Sequence, residues 1–326
     1  MEKKLSKLIE DIRTGKIYSS TDVVISSLRV LEGLAKSTNN LSELIDLYHK
    51  YLPVLIKARP ASAMLANSVR ELLTSIVSAL ERGLSFKELL EELSKKRTEI
   101  ERRINEAINS AALIASRRIQ EGDVILTNSY SRSVLRALKV TKDRGANFSV
   151  YVTESRPGSE GLLTASRLSS LGIPVTLFVD SAVRYFMKDV DKVLISCEAV
   201  AANGAVVNKI GTSLIALSAH EARVRVFVIG ITYKFNPETI FGELIEIAEE
   251  EPQATLSYDV KEGIKSLSPL FDVTPPEYID AIITERGIIA PQAVTTVLRE
   301  IYGWPFKLEG IEGLLEKLEN YSGRRE

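Results

Sequence analysis

Short Val- and Ile-rich runs recur from Asp123 onward, separated by stretches of helical spacing, and this alternation constrains the fold more than any other feature of the chain. The runs are Val124–Thr127, Phe148–Thr153, Val175–Val179, Val193–Ser196, Arg225–Ile231 and Ala281–Thr284. Strands joined through helices lie parallel and are covered on both faces, so their apolar residues run on continuously instead of alternating. The pattern predicts an α/β architecture: a mainly parallel, doubly wound sheet with helices on both faces.

Residues 1 to 116 carry no such runs. Leu5, Leu8, Ile9 and Ile12 share one helical face, and the same period continues through Val23–Leu34, Leu41–Leu55, Ala63–Leu80 and Phe86–Ser116. Ser85-Phe86-Lys87-Glu88 has the form of a capping box for the last and longest of these helices. Two domains are expected, an all-helical N-terminal domain over 1–116 and a sheet domain over 117–326. A length of 326 residues with 45% hydrophobic content is ample for a core in each. No internal repeat, low-complexity linker or G-x-G-x-x-G occurs.

Charge and cysteine content narrow the function. Against 43 acidic residues stand 42 basic ones, a net charge of −1, so no bulk attraction to nucleic acid or to an anionic membrane is expected. The single cysteine, Cys197, excludes an intrachain disulfide and a zinc cluster of cysteine type, which fits a cytoplasmic location. A buried, inert thiol is the expectation for it. The start Met1-Glu2-Lys3-Lys4 has no apolar leader, and no run of about 18 apolar residues is present for a membrane helix. No metal and no cofactor are expected.

Polar residues gather where the strands end: Thr127-Asn128-Ser129, Glu154-Ser155-Arg156, Asp180-Ser181 and Glu198 follow four consecutive runs. In open α/β sheets the carboxyl ends of the strands form the ligand crevice. The fourth run leads into Cys197-Glu198, the turn dipeptide Asn203-Gly204, then Asn208-Lys209 and Gly211-Thr212 ahead of an apolar helix over Ser213–Ala219. Amides at that helix start, with the Lys209 ammonium, form a natural seat for a phosphate. Arg156, held by Pro157, adds a second cation. Each has an ordinary alternative: an ion pair of Arg156 with Glu154 or Glu198, and for Lys234 a side chain that snorkels from the core edge. Asp272 and Glu285 read as anchors for neighbouring cations or for dimer contacts.

The segment Cys197–Thr212 also resembles a signature of the alpha, beta and delta subunits of initiation factor 2B and their sugar-phosphate isomerase relatives. Further parts of that pattern stand in order as Arg59-Pro60-Ala61-Ser62-Ala63, Thr127-Asn128-Ser129-Tyr130-Ser131-Arg132, Val152-Thr153-Glu154-Ser155-Arg156-Pro157, Tyr233-Lys234-Phe235, Asp272-Val273-Thr274-Pro275-Pro276 and Thr284-Glu285-Arg286-Gly287. The resemblance covers nearly the whole chain. It implies a Rossmann-like sheet domain, a phosphorylated sugar or nucleotide as ligand, and a homodimer through that domain or a hexamer as in the isomerases. Strand residues near Phe271–Val273 and Ile288–Ala290 are the expected contacts. Translation initiation factor 2 is the macromolecular partner it suggests. It puts Arg59 in the phosphate-binding part of the site and matches Arg13, in Arg13-Thr14-Gly15-Lys16, to an Arg-Gly segment of the isomerases with altered spacing. The ligand-binding set is then Arg13, Arg59, Arg156, Asn208, Lys209 and Lys234.

Two positions bear on the branch of the family. Ribose-1,5-bisphosphate isomerase and methylthioribose-1-phosphate isomerase carry Thr-His-Cys after the first strand and an Asp five residues before the Asn-Gly, and that Cys and Asp are their catalytic pair. The matching positions here are Asn128-Ser129 and Glu198. Isomerisation needs a group able to exchange protons near neutral pH on each side of the sugar. A thiol ionises in that range, whereas a serine hydroxyl needs an adjacent base. Neither His49 nor His220 is placed by sequence to serve Ser129, and Glu198 carries its carboxylate on an arm one methylene longer. Tyr130-Ser131-Arg132 with Val134-Leu135-Arg136 resembles the initiation factor 2B alpha subunit, while the tail from Tyr233 to Trp304 resembles archaeal ribose-1,5-bisphosphate isomerase. The expectation is an archaeal member that binds its ligand without turning it over, a regulatory protein and not an enzyme. The alternatives are an intramolecular aldose–ketose isomerase that uses Glu198 with Ser129 or Cys197 in altered roles, and a structural subunit.

Overall fold

The structure is a computed structural model that describes residues 2–14, 16–247, 249–250 and 267–322. It divides into two compact units, Met1–Asn105 with Tyr302–Glu326, and Glu106–Ile301. The first unit is helical: α1 (Glu2–Arg13), α2 (Ser20–Ala35), α3 (Leu41–Lys57), α4 (Ala63–Glu81) and α5 (Phe86–Ser116), the last of which continues into the second unit. Leu5, Leu8 and Ile12 form the buried stripe of α1. At the start of α5 the backbone N–H and hydroxyl of Ser85 donate to Glu88 Oε2 at 2.8 and 2.6 Å, and Glu88 N–H donates back to Ser85 Oγ. This is the reciprocal capping the sequence calls for.

The second unit runs β1 (Val124–Thr127), α6 (Arg132–Asp143), β2 (Ser149–Thr153), α7 (Glu160–Ser170), β3 (Val175–Phe178), a short α8 (Val183–Phe186), β4 (Lys192–Ser196), β5 (Ala199–Val200), β6 (Val206–Lys209), α9 (Thr212–Ala222) and β7 (Arg225–Ile229). It closes with β8 (Glu249–Glu250), β9 (Ser268–Pro269), β10 (Phe271–Thr274), β11 (Ala281–Thr284), β12 (Gly287–Ile289) and α10 (Val294–Tyr302). Seven strands form one sheet in the order β12-β11-β7-β4-β1-β2-β3. All neighbours are parallel except β12, which turns back antiparallel on β11. The chain therefore winds from β1 out to β3, returns, and winds the other way from β4. α6 packs beside α7, and α8 beside α9, one layer for each winding direction, as right-handed crossovers require. Val193, Ile195, Val226, Val228 and Ile282 fill the core between the layers.

A three-stranded antiparallel sheet, β10-β6-β5, stands outside the sequence expectation. It occupies the segment read as turn and helix start. The Asn203-Gly204 turn joins β5 to β6, with Gly204 at φ +88 and no room for a Cβ, which would stand 2.4 Å from the Pro291 carbonyl oxygen. Phe271 of β10 is buried, while Val273 and Ile288 are exposed. The last helix among the described residues, α11 (Ile311–Ser322), lies in the first compact unit. It packs on α3 and α4 and buries Leu314, Leu315 and Leu318, while Arg70 of α4 donates to the Glu309 carbonyl at 3.0 Å. An apolar stripe needs cover, and α3 and α4 supply it, so the tail belongs with the helices and not with 117–301.

α7 approaches β2 closely enough that a Cβ on Gly161 would stand 1.8 Å from the Thr153 carbonyl oxygen. The Gly161→Ala protein is expected to be less stable by about 1–3 kcal/mol, the usual effect of overpacking. Urea denaturation of the two proteins checks this.

Candidate functional site

Strand order places the site. β1 and β4 are hydrogen-bonded neighbours, Ile125 opposite Lys192 and Leu126 opposite Val193, and the winding reverses between them. At such a switch point the loops leave in opposite directions and open a crevice. Asn128-Ser129 continues from β1 and Cys197-Glu198 from β4, so the two positions that differ from the isomerase pattern flank this crevice. Glu198 is 4% exposed, and its N–H donates to the Val207 carbonyl at 2.8 Å to open the β5–β6 hairpin.

Ser129 is half-buried and adopts a left-handed conformation, φ +56. A non-glycine residue held there costs of order 1–3 kcal/mol and persists only where neighbours over-determine it. Here they do. Ser129 N–H donates to Ser155 Oγ at 2.7 Å, and its carbonyl accepts from Thr164 Oγ1 at 2.5 Å. Ser155, itself at φ +61, is fixed in turn by Asp180, whose two carboxylate oxygens accept from the N–H groups of Ser155 and Arg156 at 2.9 and 2.7 Å. Asp180 thus sets the backbone from which the exposed Arg156 side chain projects.

The helix start is not an open anion seat. Asp272 Oδ2 accepts from the N–H groups of Gly211 and Ser213 at 2.8 and 3.0 Å, so a carboxylate of the chain itself occupies the positive end of α9. Its other oxygen is buried without a hydrogen-bond partner among the described residues, and burial pushes the Asp272 carboxyl up to about 6, with the amide bonds only partly offsetting it. Lys209 pairs with Glu160 at 2.6 Å; Glu160 is 5% exposed, and its Oε2 has no hydrogen-bond partner among the described residues. Lys234 does not snorkel. It is buried and donates to Ser196 Oγ at 3.2 Å and to the Cys197 carbonyl, at the end of β4. Glu285 accepts from the N–H and hydroxyl of Thr232, so this acid and Asp272 both anchor main chain where cations or dimer contacts were expected.

Thr212 is the hub that sequence reasoning missed. Its hydroxyl contacts the Lys209 carbonyl at 2.6 Å and the side-chain amides of Asn128 and Asn208, each at 3.0 Å. The signal lay in the spacing of Asn208 and Thr212, one hairpin end and one helix start. The Cys197 thiol lies against the Ile229 carbonyl at 3.8 Å, and burial raises it to about 11, which removes it as a proton-exchanging group at neutral pH. His220 lies in the last turn of α9 against Tyr278, about 12 Å along the helix from Thr212 at 1.5 Å per residue. The remaining candidates fall in the first unit. Arg13 pairs with Glu10 at 2.9 Å, and Arg59 donates to the carbonyls of Ile17 and Tyr18 at 3.2 and 3.5 Å. Gly15 lies outside the described residues. Among the described residues no cluster of His, Cys, Asp and Glu could hold a metal, and no helix is long and apolar enough to cross a membrane.

The raised Asp272 carboxyl has a consequence for stability. The folded state holds this proton more tightly than the unfolded chain, so its contribution is fully present below about pH 4 and is lost as pH rises through about 6. Compared with the wild type, Asp272→Asn is expected to lose less stability between pH 4 and pH 7. Thermal melting across that range checks it.

Residues 16–291 match the family described as the initiation factor 2 subunit family. Ribose 1,5-bisphosphate isomerase of Thermococcus kodakarensis is 36% identical over 311 residues, 94% of this chain and 97% of that protein. The protein of the same name from Methanocaldococcus jannaschii is 43% identical over 252 residues, 77% of this chain and 79% of its own. The crystal structure of the Pyrococcus horikoshii OT3 translation initiation factor eIF-2B superposes with a TM-score of 0.77 at 28% identity, covering 88% of this chain and 97% of that one. The expectation of a protein that is not an enzyme is corrected by these matches: the likeness to isomerases runs along nearly the full chain, and two altered side chains do not outweigh it. The chain belongs to the archaeal initiation factor 2B alpha/beta/delta-like family, to which ribose-1,5-bisphosphate isomerase is related.

Proposed function

We propose that this chain is an aldose–ketose isomerase acting on a pentose phosphate of the ribose 1,5-bisphosphate class. The observation that carries the reading is the buried Glu198 carboxylate at the switch point, in a chain 36% identical to such an isomerase over 94% of its length. In the reaction the ring oxygen takes a proton as its bond to C1 breaks, and C2 gives up its proton to leave an enol phosphate. The O2 proton then departs and C1 gains one, giving the ketose. A carboxylate can carry the carbon-bound proton in both halves. Glu198 has that role, and Ser129, held by its two backbone bonds, supplies a hydroxyl that orients the sugar without ionising. Arg156 and Lys209 are the cations of the sheet unit offered to phosphate, Lys209 by exchanging the Glu160 carboxylate for it. Lys234, bonded to the end of β4, completes the proposed binding set of the sheet unit.

Purified protein given ribose 1,5-bisphosphate should form the ketose, read by NMR of the product. Glu198→Gln should lower kcat about 10²-fold or more, the usual contribution of a general acid–base group. No ketose from the wild type would overturn the reading. The sheet unit is also proposed to pair with a second copy through strands β10 and β12, which expose Val273 and Ile288. Light scattering should return at least twice the 36.1 kDa chain mass, and a stable monomer at micromolar concentration would refute the pairing.

A further inference from the structure

Thr212 opens α9 and is fully buried. Its hydroxyl hydrogen is committed to the Lys209 carbonyl at 2.6 Å. A hydroxyl has one hydrogen and two lone pairs, so toward its other two neighbours Oγ1 can only accept. Those neighbours are the side-chain amides of Asn128 and Asn208, at 3.0 Å each. Each amide must therefore turn its NH2 to Thr212, which settles the orientation of both groups from the hydrogen-bond network alone. Covalent geometry then puts each carbonyl oxygen on the opposite branch. Asn128 Oδ1 is buried with no hydrogen-bond partner among the described residues. Asn208 is half-buried, next to Lys209 at the end of β6.

An amide carbonyl is an acceptor only, and so are the oxygens of a phosphate dianion. The two repel, and what such a carbonyl takes is an O–H group. We propose that Thr212 is a positioning residue that holds the Asn208 carbonyl as the acceptor for a sugar hydroxyl, beside the Lys209 cation that serves phosphate. Asn128, on the far side of the same hydroxyl, completes the lock. This rests on the sugar-phosphate reading above and assigns the division of labour within it: Asn208 reads the carbohydrate and Lys209 the charge. With the hydroxyl removed, the Asn208 amide loses the bond to Thr212 that fixes which end it presents.

The test is calorimetric titration of ribose 1,5-bisphosphate and its 2-deoxy and 3-deoxy analogues into the wild type, Thr212→Ser, Thr212→Val, Asn208→Ala and the Thr212→Val/Asn208→Ala double variant. Thr212→Ser keeps the hydroxyl and should bind within about twofold of the wild type. Thr212→Val keeps the shape and should bind the parent sugar about tenfold more weakly, with the double variant no worse than Asn208→Ala, because the two residues act through one contact. The wild type should prefer the parent over at least one deoxy analogue by about tenfold, and Thr212→Val should narrow that preference to about twofold. General loosening would weaken all three ligands alike and leave the preference intact, which would overturn the proposal. So would equal affinities of Thr212→Val and wild type, or losses that multiply in the double variant. A wild type that binds none of the sugars would overturn the isomerase reading and this assignment together, an outcome distinct from those that sink the assignment alone.

Discussion

The parallel pairing of β1 with β4 is the constraint on which the sheet unit depends. It involves few ladder partners, yet it is the point at which the winding of the sheet reverses. Were β4 to pair anywhere else, Ser129 and Glu198 would leave the sheet at separate places. Because six of its strands are parallel, their carboxyl ends lie on one edge, and β1 and β4 bring their loops to neighbouring positions on it. The buried Val and Ile residues that drive the pairing thus decide the chemistry indirectly, by choosing which polar residues become neighbours.

Acidic side chains then finish the edges of the sheet by a repeated device. Asp191 accepts from Val124 N–H at the entry to β1, and Asp280 from Val226 N–H at the entry to β7. Asp180 holds the Ser155 and Arg156 amides, Asp272 the start of α9, and Glu285 the turn at Thr232. A backbone N–H at a strand or helix end lacks a ladder partner, and a carboxylate supplies a strong one. Each such bond also rigidifies the loop that follows, which is what a site needs if its groups are to keep their places.

The six parallel strands and the first five helices are legible in the sequence, because burial on both faces writes an unbroken Val and Ile run and burial on one face writes a helical period. β5 and β6 are not. Ala199–Val200 is too short to carry a period, and β6 is identified as a strand by its antiparallel partners, one of which, β10, comes from far along the chain. The site is legible to the same depth. Strand ends announce polar residues, but nothing local shows that Asp272, 61 residues from Gly211, takes the amides a phosphate would have used. Lys209 reads as a free cation until Glu160 is seen against it. The inference from Ser129 and Glu198 to an inert protein erred by treating two side chains as the whole of the catalytic apparatus, when the surrounding chain keeps its likeness to isomerases.

The Glu160–Lys209 pair bears on how a ligand finds this place. A lone ammonium in a cleft projects a field that draws anions from a distance, with a salt-dependent gain in encounter rate. Lys209 stands 2.6 Å from a carboxylate buried almost completely, and the two charges cancel within a few ångströms. To an approaching anion the pair is close to neutral, and the phosphate of the proposed ligand would feel its attraction only once near enough to compete with Glu160 for the same hydrogens. Under the proposed function, discrimination at this position would therefore operate at contact and leave the long-range approach to other parts of the molecule.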